Sequence, residues 1–345
     1  MSQIVLDGMS LITPEAVARE LGPQVIADPN PAAETVRAQL ALVLQLAEQR
    51  FLAGDNVMAA TSRINEDLHG IRSRVSPQVW KSFIPFVQNH AVADFLLQDP
   101  FVRWSFEKPR GYSGDAQLLD FIYRHPSAEG AIAAASPVGQ QVYKVSSAAQ
   151  SSAAVRERRD LLTTYVDEVA ATHGKDAEIL TIAAGHLREA NRSIALQSGD
   201  LARWVALDQD PLSVGSMVRD FAETAVTPID GSVSGLLTDT YQLGQFDFVY
   251  AAGLYDYLPR KVAVRLTKKC MQMLKPKGMF LFANFAAGIP DDGFMETFMN
   301  WSLLLRTEAE MWDIVNASVD RNTVDAQVYY GDNRNIVYAT IRKNG

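Results

Sequence analysis

The stretch from 176 to 211 constrains the fold of this chain more than any other. An apolar run, Ile179 to Ala184, leads to a sharp turn at Gly185 and a helix expected to open at about Leu187. A second run, Trp204 to Leu207, then ends on Asp208. Strand, turn, helix, strand and acid are the order of a nucleotide-binding βαβ unit. The turn must be tight, and the helix after it offers unpaired N–H groups and a partial positive charge to the crevice. Gly185 suits the turn because glycine tolerates positive φ and lets a ligand approach the backbone. Asp208 stands where a carboxylate takes the two ribose hydroxyls. One glycine instead of G-x-G-x-x-G, followed by His186 and Leu187, argues against a dinucleotide. An ordinary βα corner is the competing reading.

Composition narrows the function class. A chain of 345 residues with 48% hydrophobic content can bury a large core, and its length suits about two domains. A net charge of −8 argues against non-specific binding to nucleic acid or anionic membranes, which needs a basic face. A small-molecule enzyme is the expectation. Cys270 is the single cysteine, so no intrachain disulfide or cysteine zinc site is possible, and a cytoplasmic location is expected. The five histidines lack metal-ligand spacing, so no metal is assigned. Neither a signal-peptide pattern nor an apolar run of membrane-spanning length is present.

Before residue 176 the patterning is helical. Residues 33 to 54 repeat apolar side chains at helical spacing up to Gly54, and Asp55 is expected to cap the next helix. Helical patterning continues over 55 to 75 and 79 to 97. The loop KPRGYSGD (108 to 115) interrupts it with glycines, an arginine and Tyr112, as a lid would, although Asp115 also suits the N-cap of a helix from Ala116 to Tyr123. Residues 131 to 154, rich in alanine and serine, read as a linker or as further helix. A boundary near 150 then separates a helical N-terminal cap domain (1–150) from a catalytic domain (151–345), whose first helix runs from Val155 to Thr172 and stops at Gly174.

The second half alternates helices and strands. A crossover helix is expected from Pro211 to Glu223, a short strand from Val226 to Val233 and a strong strand from Phe246 to Tyr250. A helix from Lys261 to Leu274, a turn at Lys275 to Gly278 and a strand from Met279 to Asn284 follow. The C-terminal AQVYYGDNRNIVYATIRK alternates around Gly-Asp-Asn and reads as an antiparallel hairpin. The fold class is therefore α/β, a mostly parallel Rossmann-like sheet finished by a hairpin. It looks like the seven-stranded fold of class I S-adenosylmethionine-dependent methyltransferases.

Within that superfamily, residues 107 to 306 resemble a bacterial family labelled extracellular-factor 3-hydroxypalmitate methyl ester biosynthesis proteins. The matching pieces are KPRGYSGD (108 to 115), AAVRERRDLL (153 to 162), AAGHLRE (183 to 189), VYAAGLYDYLP (249 to 259), LFANF (281 to 285) and the segment from Met299 to Thr307. The resemblance implies S-adenosylmethionine as cofactor. Its methionine end would lie at Ala183, Ala184 and Gly185, its ribose at Asp208 beside Gln209, and its sulfonium side at Ala251, Ala252 and Gly253. Ser232 and Ser234 are nearest in register to the adenine, with Asp239 further along. Where the family generally has a small residue or proline after Gly185, this chain has His186 and Leu187.

Aromatic faces suit a sulfonium, at ~0.5–2 kcal/mol each. Tyr255, Tyr257, Trp301 and Tyr112 are the candidates, with a core role as the alternative for each. Asn284, Asn300 and Ser113 are placed to orient an acceptor. Arg188 and Arg306 suit a carboxylate through bidentate geometry, while Arg188 could instead pair with Glu189 or the helical domain. Asp256 is a candidate base, with capping or ion pairing as its alternative. Three functions are expected to compete. The first is methyl transfer to a small molecule at a carboxylate, hydroxyl or amine. The second is cyclisation of S-adenosylmethionine itself to azetidine-2-carboxylate and methylthioadenosine, as in the azetidine-2-carboxylate synthases this family resembles. The third is a catalytically silent interaction module.

Overall fold

The computed structural model describes residues 31–345 except Asp55. The chain divides into two compact units. One comprises Ala154–Ala287 and Leu303–Gly345, and the other the described residues up to Ala153 together with Gly288–Ser302.

The first unit is built on a seven-stranded sheet. Its strands are β1 (Glu178–Ile182), β2 (Arg203–Asp208), β3 (Val226–Asp230), β4 (Phe246–Ala251), β5 (Leu274–Phe285), β6 (Val324–Tyr330) and β7 (Ile336–Lys343), in the order β3-β2-β1-β4-β5-β7-β6. The first five are parallel, and β7 runs antiparallel between β5 and β6. This is the α/β Rossmann-like arrangement of class I methyltransferases. Every residue of β4 is buried, as expected of a strand covered on both faces, whereas β6 at the edge alternates over its first half. The helix Arg260–Gln272 turns Ala263, Leu266 and Cys270 inward at helical spacing onto the core of Val249, Phe280 and Phe282. The helix Glu308–Ser318, opened by a Thr307–Glu310 capping box, adds Met311, Ile314 and Val315.

Three expectations change in this unit. No helix opens at Leu187. That residue has φ +51, which ends any helical run, and only a 3-10 turn, Ala190–Arg192, and a four-residue helix, Ile194–Gln197, precede β2. The expected turn at Lys275–Gly278 lies inside β5 as a bulge: Phe246 pairs with Leu274 but Phe248 with Met279, and Lys277 takes φ +64. β3 stops at Asp230 because Ser232 caps a new short helix, Val233–Leu237, accepting from the Gly235 N–H at 3.1 Å.

The second unit is helical. Its helices Pro77–Gln88, Pro100–Glu107, Pro126–Ala134 and Pro137–Ser146 share one opening: a capping side chain (Ser76, Asp99, His125, Ser136) followed by proline at the first position. That punctuation resolves 131 to 154 as helix with short breaks, so the linker reading fails. Pro31–Leu52 and Val57–Arg72 precede them, the latter capped by Asn56, while the expected cap Asp55 lies outside the described residues. The segment Gly288–Ser302 joins this unit through its acids. Arg72 grips Glu296 bidentately at 2.8 Å on each arm, and also donates to Asp292 at 2.6 Å. A Cβ at Gly293 would come within 2.8 Å of the Leu68 backbone, so only glycine permits this approach. No described helix is long and apolar enough to cross a membrane.

Candidate functional site

Sheet order reverses between β1 and β4, and ligands of open α/β sheets bind outside the carboxyl ends of the strands at such a switch point. The chain leaves β1 in a turn where φ is positive at every second residue: Ala183 +57, Gly185 +58 and Leu187 +51. Only one of the three is glycine, so the other two hold a left-handed backbone costing roughly 1–2 kcal/mol each. Hydrogen bonds fix the shape. Ala184 N–H extends the ladder to the Leu207 carbonyl at 3.1 Å, and Leu187 N–H closes on the Ala184 carbonyl at 3.0 Å.

Asp208 binds this turn to β2. Its Oδ2 accepts the Gly185 N–H at 2.7 Å and its Oδ1 the Asp210 N–H at 2.8 Å. It is buried, and desolvation pushes its carboxyl up to about 6 against the pull of those two N–H groups. Nearby Asp210 pushes the same way, and His186 pulls back. Ala183, Ala184, Gly185 and Gln209 stay half-buried around it, as do Ser232 after β3 and Ala252 and Gly253 after β4. Ala251 itself is buried at the end of β4. Small side chains thus line the carboxyl ends of β1, β3 and β4, with Asp208 and Gln209 at the end of β2 between them.

The helix N-terminus expected to face this crevice is otherwise engaged. Asp167 accepts Ser193 Oγ at 2.6 Å and the N–H groups of Ile194 and Ala195 at 3.1 Å each, so the short helix is already capped. Arg188 also differs from both readings made of it. It pairs with Asp220 at 3.1 Å and approaches His186 Nδ1 at 3.3 Å. At the β3 end, the Ser232 N–H donates to Tyr241 OH at 3.0 Å, and a Cβ at Gly235 would strike the same hydroxyl at 2.6 Å. Ser234 is half-buried in the Val233–Leu237 helix, while Asp239 is exposed and pairs with Lys269.

Past Gly253 the polar residues form a clasp. Tyr255 packs in the core, the alternative role named for it: its ring stacks on Phe282 at 4.3 Å between centroids and its hydroxyl meets Thr267 at 2.8 Å. Asp256 Oδ1 accepts the Phe285 N–H at 2.6 Å, and its carbonyl accepts the Leu304 N–H at 2.8 Å. Burial pushes this carboxyl up to about 6, with Arg158, the Phe285 N–H and Arg306 opposing. Asn284, fully buried, donates to the Leu304 carbonyl at 2.7 Å and accepts from Arg306. Arg306 donates further to the carbonyls of Tyr255 at 2.6 Å and Leu258 at 2.5 Å. Both arginines expected to hold a carboxylate therefore have partners within the fold, and Asn284 is part of the clasp rather than open to an acceptor. Tyr257 is buried at the end of the same 3-10 turn.

The remaining expected residues belong to the helical unit. Tyr112 and Ser113 are half-buried on the KPRGYSGD loop, where Lys108 (φ +49), Gly111 (φ +83) and Gly114 (φ +74) bend the chain. Asp115 caps the next helix through the Leu118 N–H at 3.0 Å, and accepts Trp104 Nε1 at 2.9 Å. Asn300 (φ +48) donates to the Phe106 carbonyl at 3.3 Å, and buried Trp301 donates its backbone N–H to the Met295 carbonyl at 2.7 Å.

Sequence reading assigned no role to Arg158, and to Glu189 only that of an alternative partner for Arg188. Arg158 is buried in the helix Gln150–His173 and donates to the Ala252 carbonyl at 2.8 Å. Glu189 is buried and accepts the Tyr250 hydroxyl at 2.6 Å. The signal available was a string of charges, RERRD, on a helix that must pack against a sheet.

No family model matches this sequence, and no curated protein matches it. Solved structures do. A possible exported protein from Bordetella parapertussis is 16% identical, with 92% of this chain and 100% of that chain covered and a TM-score of 0.53. N-methyltransferase NodS from Bradyrhizobium japonicum WM9, in complex with S-adenosyl-L-homocysteine, is 13% identical over 55% of this chain and 88% of its own, with a TM-score of 0.40. Magnesium protoporphyrin IX methyltransferase from Synechocystis PCC 6803, with bound S-adenosylmethionine, is 12% identical over 56% of this chain and 84% of its own, also at 0.40. The Bordetella likeness is one of fold alone, and the two methyltransferase scores add nothing to the strand order.

Proposed function

We propose that this protein is an S-adenosylmethionine-dependent transferase of the bacterial extracellular-factor family, methylating a carboxylate, hydroxyl or amine of a small molecule in secondary metabolism. One observation carries the reading: Asp208, at the carboxyl end of β2, is tied to Gly185 in a turn of small residues at the switch point. When bound, the cofactor supplies an electrophilic carbon on a sulfonium. The chain's residues do the rest. An ionised Asp208 accepts one N–H on each oxygen and keeps lone pairs for two ribose hydroxyls. Ala183 to Gly185 floor the methionine end and Ala251 to Gly253 the sulfonium side, with Gln209, Ser232 and Ser234 along the nucleoside. Tyr257 is assigned to the acceptor, and the motif resemblance adds Tyr112, Ser113, Asn300 and Trp301 as candidates on the helical unit. Excluding water and aligning the acceptor supply most of the catalysis.

Cyclisation to azetidine-2-carboxylate and methylthioadenosine is the second reading, supported by the motif resemblance to azetidine-2-carboxylate synthases. Incubation with S-adenosylmethionine alone, followed by mass spectrometry, separates the two. Methylthioadenosine with a four-membered amino acid, above the spontaneous background, establishes cyclisation. S-adenosylhomocysteine formed only with an added acceptor establishes methyl transfer. Calorimetry showing no cofactor binding would leave the interaction module.

A further inference from the structure

The motif AAVRERRDLL places an arginine where the proposed function gives it no task. Arg158 is 4% exposed, yet an arginine is seldom buried unless its charge is matched. Its Nη1 donates to the Ala252 carbonyl at 2.8 Å, and a Cβ on Gly253 would lie 3.6 Å from its Nη2. The guanidinium therefore lies directly against the loop after β4. Its charge also acts, beyond hydrogen-bonding distance, on two buried acids, Glu189 after β1 and Asp256 after β4, opposing the rise that desolvation gives each carboxyl.

We propose that Arg158 is a positioning residue: its hydrogen bond to the Ala252 carbonyl fixes the Ala252–Gly253 loop at the switch point, and its buried positive charge favours the ionised forms of Glu189 and Asp256. This rests on the reading of that crevice as the cofactor site. Other groups face the same acids. Glu189 faces the Tyr250 hydroxyl, which is neutral, and Arg159, which already pairs with Asp160 at 2.8 Å. Asp256 faces the Phe285 N–H and Arg306, whose guanidinium donates to two carbonyls and Asn284. Desolvation raises both carboxyls and the Arg158 charge opposes it, so without Arg158 each acid would have to ionise in a dry site with less compensation.

The test uses the full chain with Arg158→Gln, Arg158→Lys and the double variant Arg158→Gln/Glu189→Gln. Without cofactor, the urea midpoint of Arg158→Gln is expected to fall further below that of the unaltered protein at pH 8 than at pH 5.5. Arg158→Lys should restore the pH dependence, and the double variant should recover part of the loss at pH 8. By calorimetry, Arg158→Gln should weaken S-adenosylmethionine binding at least tenfold at pH 8.5 and less at pH 6. An equal midpoint loss at both pH values, not relieved in the double variant, would overturn the proposal. If Arg158→Gln does not fold, the Arg158→Lys midpoints decide: parallel pH curves with the unaltered protein support the role of the charge, and a steeper fall towards pH 8 overturns it. Should the unaltered protein bind no cofactor, the cofactor reading fails while the urea series still decides the role of Arg158.

Discussion

At the end of β2, one acid holds backbone N–H groups and leaves small, half-buried residues around it; at the end of β5, the side chains of Asp256, Asn284 and Arg306 tie the strand to the backbone of the adjoining loops. Asp208 and Asp256 look alike in isolation: each is buried, accepts backbone N–H groups and is pushed up to about 6. Their surroundings differ. Asp208 adjoins Ala183, Ala184, Gly185 and Gln209, whereas Asp256 sits inside the clasp of Asn284, Arg306 and the Tyr255–Tyr257 turn. The small residues, more than the charged ones, distinguish a surface shaped for a ligand from one that holds the fold.

The clasp should give the largest stability effect. Arg306→Ala leaves the carbonyls of Tyr255 and Leu258 and the Asn284 oxygen without their donor, and removes a positive charge from beside Asp256. A loss of about 3–5 kcal/mol in urea unfolding is expected. A loss below about 1 kcal/mol, with cofactor affinity destroyed instead, would mean that Arg306 serves the ligand and that the contrast between the two strand ends is drawn wrongly.

Asp208→Ala should act in the opposite sense, on binding more than on folding. Losing a charged acceptor costs ~1.5–3 kcal/mol per hydrogen bond, so S-adenosylmethionine affinity should drop by about a hundredfold in calorimetry. The Gly185 and Asp210 N–H groups also lose their acceptor, adding a stability loss of about 1–3 kcal/mol. Unchanged affinity would remove Asp208 from the site.

Much of this was legible from the chain. The order of runs at Ile179, Trp204, Phe246 and Met279 located parallel strands, and the alternation around Gly331-Asp332-Asn333 located the β6–β7 hairpin. The partners of polar side chains were not legible. Nothing near Leu187 in sequence announces that Asp167, on the preceding helix, caps Ser193, or that Arg188 reaches Asp220. Tyr255-Asp256-Tyr257 has the composition of a ligand loop, but Thr267 and Phe282, which take up Tyr255, are 12 and 27 residues away. Helical periodicity also missed the break at Leu187, because an apolar residue at φ +51 leaves the apolar pattern intact.

A pH titration sharpens the account of Asp208. Its carboxyl titrates near 3.8 when free and about 6 in the fold. Below pH 4 both states hold the proton. Between about 4 and 6 only the folded chain holds it, so this group's contribution to stability declines as pH rises, by about 3 kcal/mol in all. Binding runs the other way, since ribose hydroxyls donate to the ionised form. Affinity should weaken about tenfold per pH step below 6 and level off above it. Asp208→Asn should remove both slopes; if the binding slope persists in this variant, another group controls it.

The smallest expected effect concerns the turn itself. Ala183 holds φ +57 with a side chain, where glycine would adopt the same backbone without a Cβ clash. Ala183→Gly should therefore stabilise the protein by about 0.5–1 kcal/mol in urea unfolding, because relief of the left-handed strain exceeds the entropy glycine adds to the unfolded chain. The same change at buried Leu187 would lose core packing, so Ala183 is the cleaner probe. A destabilisation would show that the Ala183 methyl is held by contacts worth more than the strain. A stabilised variant with weaker cofactor binding would show that the strained turn is kept for the ligand, separating the β2 end from the clasp at β5 by function as well as by geometry.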